Sequence, residues 1–142
     1  MEKIAFLYVS EILPGKIAND VHRPVPWVTK ETLPVTTNFD VTFGLILKVR
    51  EPYKVEVDVF FDGKSLLGKD RDDVSADPIV SYVNHDDDYV SIENMSLFGV
   101  EISNYGLHKV VAKLYGTSGA VSEENLLSEQ ECYFVVSKGW LK

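Results

Sequence analysis

A single cysteine, Cys132, in 142 residues excludes an intrachain disulfide framework, so any fold here rests on its core. Lys and Arg are also scarce: 14 stand against 22 acidic residues, for a net charge of −8. Phosphate backbones reward clustered cations, so nucleic acid is not an expected partner. Long apolar runs are missing. The stretch Ile4–Val9 is too short for a membrane span or a signal h-region, and the expected location is cytoplasmic. Catalytic signatures are missing too: there is no Gly-x-Ser-x-Gly, His-Glu-x-x-His or Cys-x-x-Cys. Gly63-Lys64-Ser65 has the look of the end of a phosphate loop. Asp58, however, stands where its leading glycine belongs, and no helical pattern follows. His22, His85 and His108 fall on dissimilar elements and read as unrelated rather than as a zinc set.

What is present is alternation. Phe39, Val41, Phe43, Leu45, Leu47 and Val49 occupy odd positions, followed by Tyr53, Val55, Val57, Val59 and Phe61. Side chains on a strand alternate faces, so each stretch has one apolar and one polar side. Arg50-Glu51-Pro52 is a turn, and the two strands are expected to pair as an antiparallel hairpin. The apolar run Ile4–Val9 reads as a strand covered on both sides or near the core. Prolines punctuate Leu13–Pro34 and confine it to a sheet edge, with short strands near Ile17–His22 and Trp27–Thr29.

Asp62-Gly63 signals a turn, and Lys64–Leu67 a short returning strand. Lys69–Pro78 is expected to be a polar loop; Ile79–Val83, Tyr89–Ile92 and Phe98–Ile102 are expected strands. His108, Val110, Ala112 and Leu114 share one face of a further strand, with Lys109, Val111, Lys113 and Tyr115 on the other. Ala120–Glu131 is the only helix candidate, and Tyr133–Ser137 closes as a strand; Cys132, in the run Cys132-Tyr133-Phe134-Val135-Val136, reads as strand too, where a thiol acts as a small hydrophobe. With 45% hydrophobic residues, the chain can bury a core as one domain spanning 1–142. The expected fold is all-β: an antiparallel two-sheet sandwich of about seven to nine strands, with little or no helix.

Three groups of residues bear on function. Asp70, Asp72, Asp73 and Asp77 in one loop, and Asp86, Asp87 and Asp88 in another, have the composition of the calcium-binding ends of C2-like domains. Neither matches an EF-hand, and a strand at Ile79–Val83 would hold the two groups apart. Glu56, Asp58, Glu93 and Glu101 are candidates to line one sheet face, which leaves open a hydrolase with an unrecognised cleft. Trp27, Phe60, Tyr115, Tyr133 and Trp140 fall outside the inner-face pattern and are the candidate partner-binding residues, since Trp and Tyr are enriched at binding hot spots. An edge at Val25–Val28 could also add a strand.

The order of parts, with Asn104-Tyr105-Gly106 leading into the strand Leu107–Ala112 and Glu131–Val136 closing, resembles uncharacterised bacterial immunoglobulin-like β-sandwich proteins. The cysteine pair and core Trp of antibody domains are missing. The resemblance implies a fold and no activity. The expectation is therefore a non-catalytic protein-interaction or self-assembly module, with a protein partner or a homo-oligomer, no cofactor and no membrane.

Overall fold

In a computed structural model of the protein, residues 2–12, 24–48, 51–67, 78–79, 88–117 and 119–139 are described, with the backbone alone at 78–79, 88 and 89. They form β1 (Lys3–Ile12), β2 (Trp27–Thr29), β3 (Val35–Lys48), β4 (Tyr53–Phe61), β5 (Lys64–Ser65), β6 (Pro78–Ile79), β7 (Asp88–Ile102), β8 (Gly106–Tyr115) and β9 (Leu126–Ser137). Sheet A has the order β1-β3-β7 and is antiparallel throughout. Sheet B runs β2-β9-β8-β4-β5, with β6 also on β4. Its one parallel pairing is between β2 and β9. This is a two-sheet β-sandwich. Among the described residues no helix is long and apolar enough to cross a membrane.

The expected hairpin is not formed. β3 pairs with β1 and β7, whereas β4 pairs with β8, so residues 49–52 carry the chain from one sheet to the other. Phe39, Val41, Phe43, Leu45 and Leu47 therefore face Val55, Val57 and Val59 across the core, and all are buried. Either arrangement buries the same alternate residues, which is why the pattern alone did not choose between them. Tyr53 secures the crossing. Its hydroxyl accepts a hydrogen bond from the Lys48 N–H at 2.9 Å and donates one to Glu2 at 3.1 Å. Burial pushes this phenol up to about 12, the Glu2 carboxylate adding to the rise.

Other expectations are corrected as well. Of the two readings of β1, the one near the core holds: β1 is an edge strand with Ile4 and Val9 in the core, and it is not covered on both sides, since Phe6 is exposed. Tyr89–Ile92 and Phe98–Ile102 belong to one 15-residue strand, β7. It passes a bulge opposite Asn38, whose side chain accepts the Gly99 N–H at 2.8 Å. The helix candidate holds only a 3-10 turn at Glu123–Asn125 before β9 begins. There the ladder offered by β8 outweighs a weak helical preference.

The Asp62-Gly63 turn is as expected, with both residues at positive φ (52° and 80°) between β4 and β5. β2 covers Trp27–Thr29, as expected. Ile17–His22, Lys69–Asp77 and Val80–Val83 lie outside the described residues.

Candidate functional site

Residues opposite one another in a ladder point to the same face of the sheet. On sheet B, the inner face of β8 carries His108, Val110, Ala112 and Leu114, all buried. The outer face is then read off the register as successive rows. Trp27, Val135 and Leu107 form the first row, and Tyr133, Lys109 and Phe60 the second. Glu131, Val111 and Asp58 follow, then Glu129, Lys113 and Glu56.

Apart from Lys109, the first two rows are apolar, and they are open to water: Trp27 is 47% exposed, Val135 42%, Leu107 59% and Tyr133 45%. Lys109 lies over the Phe60 ring at 5.7 Å and 3.8 Å from Glu131. The Tyr133 hydroxyl donates to Glu131 at 2.5 Å, which raises this phenol above its ordinary range. The last two rows are charged. Glu56, Asp58, Glu129 and Glu131 flank the central lysines, and a shallow depression lies among Glu56, Asp58, Phe60, Val111 and Lys113. Asp58 is fixed there, accepting the Val59 N–H at 2.7 Å and the Ser65 hydroxyl at 2.9 Å.

Three of the five aromatic candidates, Trp27, Phe60 and Tyr133, thus share one face. Tyr115 does not join them. It is 6% exposed, and burial, together with Glu56, Glu123 and Glu129 nearby, raises its phenol. Its position after Lys113 on the outer side suggested exposure, but burial there depends on tertiary packing that strand alternation does not encode. Trp140 lies outside the described residues. Leu107 and Val135 were missed. The signal was present: Tyr133-Phe134-Val135-Val136 is apolar on both faces, so one face had to be exposed or covered by something else. The edge at Val25–Val28 is partly used, since β2 pairs with β9 and Pro26 accepts the Val135 N–H at 2.9 Å.

No protein-family model matches the chain, and no curated protein matches it.

The polar candidates disperse. Glu56 and Asp58 lie on sheet B, but Glu93 and Glu101 belong to β7 of sheet A, so the four do not line one face. Asp70, Asp72, Asp73, Asp77, Asp86 and Asp87 lie outside the described residues, and Asp88 contributes only backbone, opposite Lys48. Among the described residues no group of three His, Cys, Asp or Glu side chains could hold a metal ion.

His22 and His85 are likewise outside. His108 is buried in an aromatic stack, 4.7 Å from Phe61 and 5.0 Å from Phe134. Its Nδ1 is 3.0 Å from the Gly106 carbonyl, which can only accept, so Nδ1 carries the proton. Nε2 is buried without a hydrogen-bond partner, and burial lowers the imidazole's pKa. Cys132 is partly buried beside the core, and burial pushes its thiol up to about 11, far from a nucleophile's range.

Proposed function

We propose that this chain is a non-catalytic protein-interaction module whose docking surface is the outer face of sheet B. One observation carries the reading: four large apolar side chains, Trp27, Leu107, Tyr133 and Val135, stand exposed in adjoining rows. Aromatic anchors on a rigid sheet supply most of the energy of a typical interface. Glu56, Asp58, Glu129 and Glu131 share the face with three lysines, Lys54, Lys109 and Lys113, which leaves it acidic on balance. The partner is therefore a polypeptide surface with an apolar anchor bordered by Lys or Arg.

An immunoglobulin-like assignment belongs to the same proposal. The strand order supports it: the chain changes sheets at β3–β4 and at β7–β8, and β8–β9 form a hairpin. β1 joins one sheet, while β2 runs parallel to the final strand of the other. A cytoplasmic setting is part of the reading too, resting on the disulfide-free composition.

The test is binding by a double variant, Leu107→Ser with Val135→Ser. Affinity chromatography on wild-type protein supplies partners, and calorimetry with each purified partner gives the affinity. The double variant is expected to lose tenfold or more, and raised salt to weaken wild-type binding. Equal affinity for variant and wild type would overturn the assignment.

A further inference from the structure

We infer, on the reading of sheet B's outer face as the docking surface, that Glu11 and Thr37 of sheet A are positioning residues for Trp27. They hold Lys30, and Lys30 holds β2 in place. β2 has little of its own to fix it. It is three residues long, lies at the edge of sheet B and, among the described residues, pairs with β9 alone. The pairing is parallel, slightly the weaker kind, and so short a strand adds few ladder bonds. Of its three residues only Val28 is buried. Two backbone bonds flank it: Pro26 accepts the Val135 N–H, and the Lys30 N–H donates to the Ser137 carbonyl, both at 2.9 Å.

The missing grip comes from the other sheet. Glu11 of β1 stands opposite the core residue Phe39, at an inward position where an apolar side chain is the rule. Its carboxylate instead meets the Lys30 ammonium at 2.5 Å. Thr37 of β3, itself buried, donates its hydroxyl to the same carboxylate oxygen at 2.6 Å. The pair is partly buried, with side chains 21% exposed for Lys30 and 12% for Glu11. Removing one partner therefore leaves the other charge poorly solvated and uncompensated. Lys30 is held at its backbone as well, since its carbonyl accepts the Tyr105 hydroxyl at 3.0 Å.

Strand alternation carries this grip to the docking face. Val28 and Lys30 are fastened on the inner side, so Trp27 between Pro26 and Val28 is directed outward, beside Val135 and Leu107. With the pair broken, β2 keeps Val28 and its flanking backbone bonds but can fray from its Lys30 end. The indole then loses its fixed direction. A mobile anchor must be ordered again on docking, and that ordering weakens affinity. Glu11 and Thr37 thus act on a face that belongs to the opposite sheet.

The test uses the full chain with Trp140→Phe, which makes Trp27 its sole tryptophan. The tryptophan band of the near-ultraviolet circular dichroism reads how firmly the indole is held. Hydrogen exchange by NMR reads the Lys30 and Val135 amides against those of the β4–β8 ladder. Lys30→Met keeps the apolar stem and removes the charge. It should weaken the Trp27 band and speed exchange at those two amides about tenfold, with the ladder unchanged. Thr37→Val should speed it about threefold. Glu11→Lys and Lys30→Glu should each act like Lys30→Met, and together restore the band, because the Thr37 hydroxyl accepts from an ammonium as well as it donates to a carboxylate. If the reversals do not fold, Lys30→Met and Thr37→Val decide the matter. An unchanged band and unchanged exchange in Lys30→Met would overturn the inference. So would exchange accelerated equally in every strand, or a folded double reversal no better than either single one. These readings use the free protein, so a null result strikes the positioning role alone. Equal partner binding by the Leu107→Ser, Val135→Ser variant strikes the docking face itself.

Discussion

Gly44 sits on β3 under the ring of Phe6, and the two positions should be energetically coupled. An added Cβ would lie 2.3, 2.7 and 2.8 Å from three ring carbons of Phe6, inside any tolerable contact. Gly44→Ala must therefore displace something. β3 is the central strand of sheet A, held on both sides by ladders, whereas Phe6 is 38% exposed at an edge. The ring should yield. Roughly 120 Å² of Phe6 is covered, taking about 200 Å² for the whole side chain. Returning it to water at about 25 cal/mol per Å² costs about 3 kcal/mol, and about 2 once the compactness of the unfolded chain is allowed for. Replacing glycine within a strand returns ~0.5–1 kcal/mol of backbone entropy.

Gly44→Ala alone should therefore destabilise by about 1–2 kcal/mol. In a Phe6→Ala background, where those ring carbons are gone, it should stabilise by ~0.5–1 kcal/mol. Urea unfolding followed by tryptophan fluorescence reads both, with the m-value unchanged between variants. Equal effects of Gly44→Ala in the two backgrounds would refute the reasoning, because they would mean that β3 moves and the ring stays.

Two further outcomes follow from the buried polar groups. Burial holds the folded pKa of His108 below its ordinary 6.5; above pH 6.5 both folded and unfolded forms are neutral and the group adds no pH dependence. As pH falls below 6.5 the unfolded chain takes up a proton that the native state refuses, so stability declines toward the folded pKa. His108→Phe should flatten this decline in urea midpoints compared between about pH 7.5 and 5.5; an unchanged slope would assign it to other groups. Tyr53→Phe leaves the Lys48 N–H and Glu2 without the bonds they make to the hydroxyl. It should destabilise by about 1–3 kcal/mol in the same assay, whereas a neutral result would mean that the sheet crossing does not depend on this tether.

The aromatic site was partly legible in the sequence. Trp27, Phe60 and Tyr133 stood out because they broke the inner-face pattern, and an apolar residue on the wrong side of a strand marks a second packing surface or an interface. What placed them together was the register of β2, β9, β8 and β4, which joins residues more than 70 positions apart. Tyr115 satisfied the same local rule and yet is buried. That Val90 and Ile92 of β7 are exposed could not be read at all, since Val90-Ser91-Ile92-Glu93 alternates normally and only its neighbours define which side is inward.

By itself the sequence determined that the chain folds as strands and which residues of β3, β4 and β8 share a face. Those facts follow from a two-residue period that operates within any few neighbouring positions. Tertiary structure alone decided which strands are neighbours and which merely face one another. An apolar face is satisfied equally by an adjacent sheet or an opposing one, and the choice between them is made over long separations in the chain. For that reason two strands only four residues apart stand on opposite sides of the core, and the exposed faces of the molecule emerged only when both sheets were assembled.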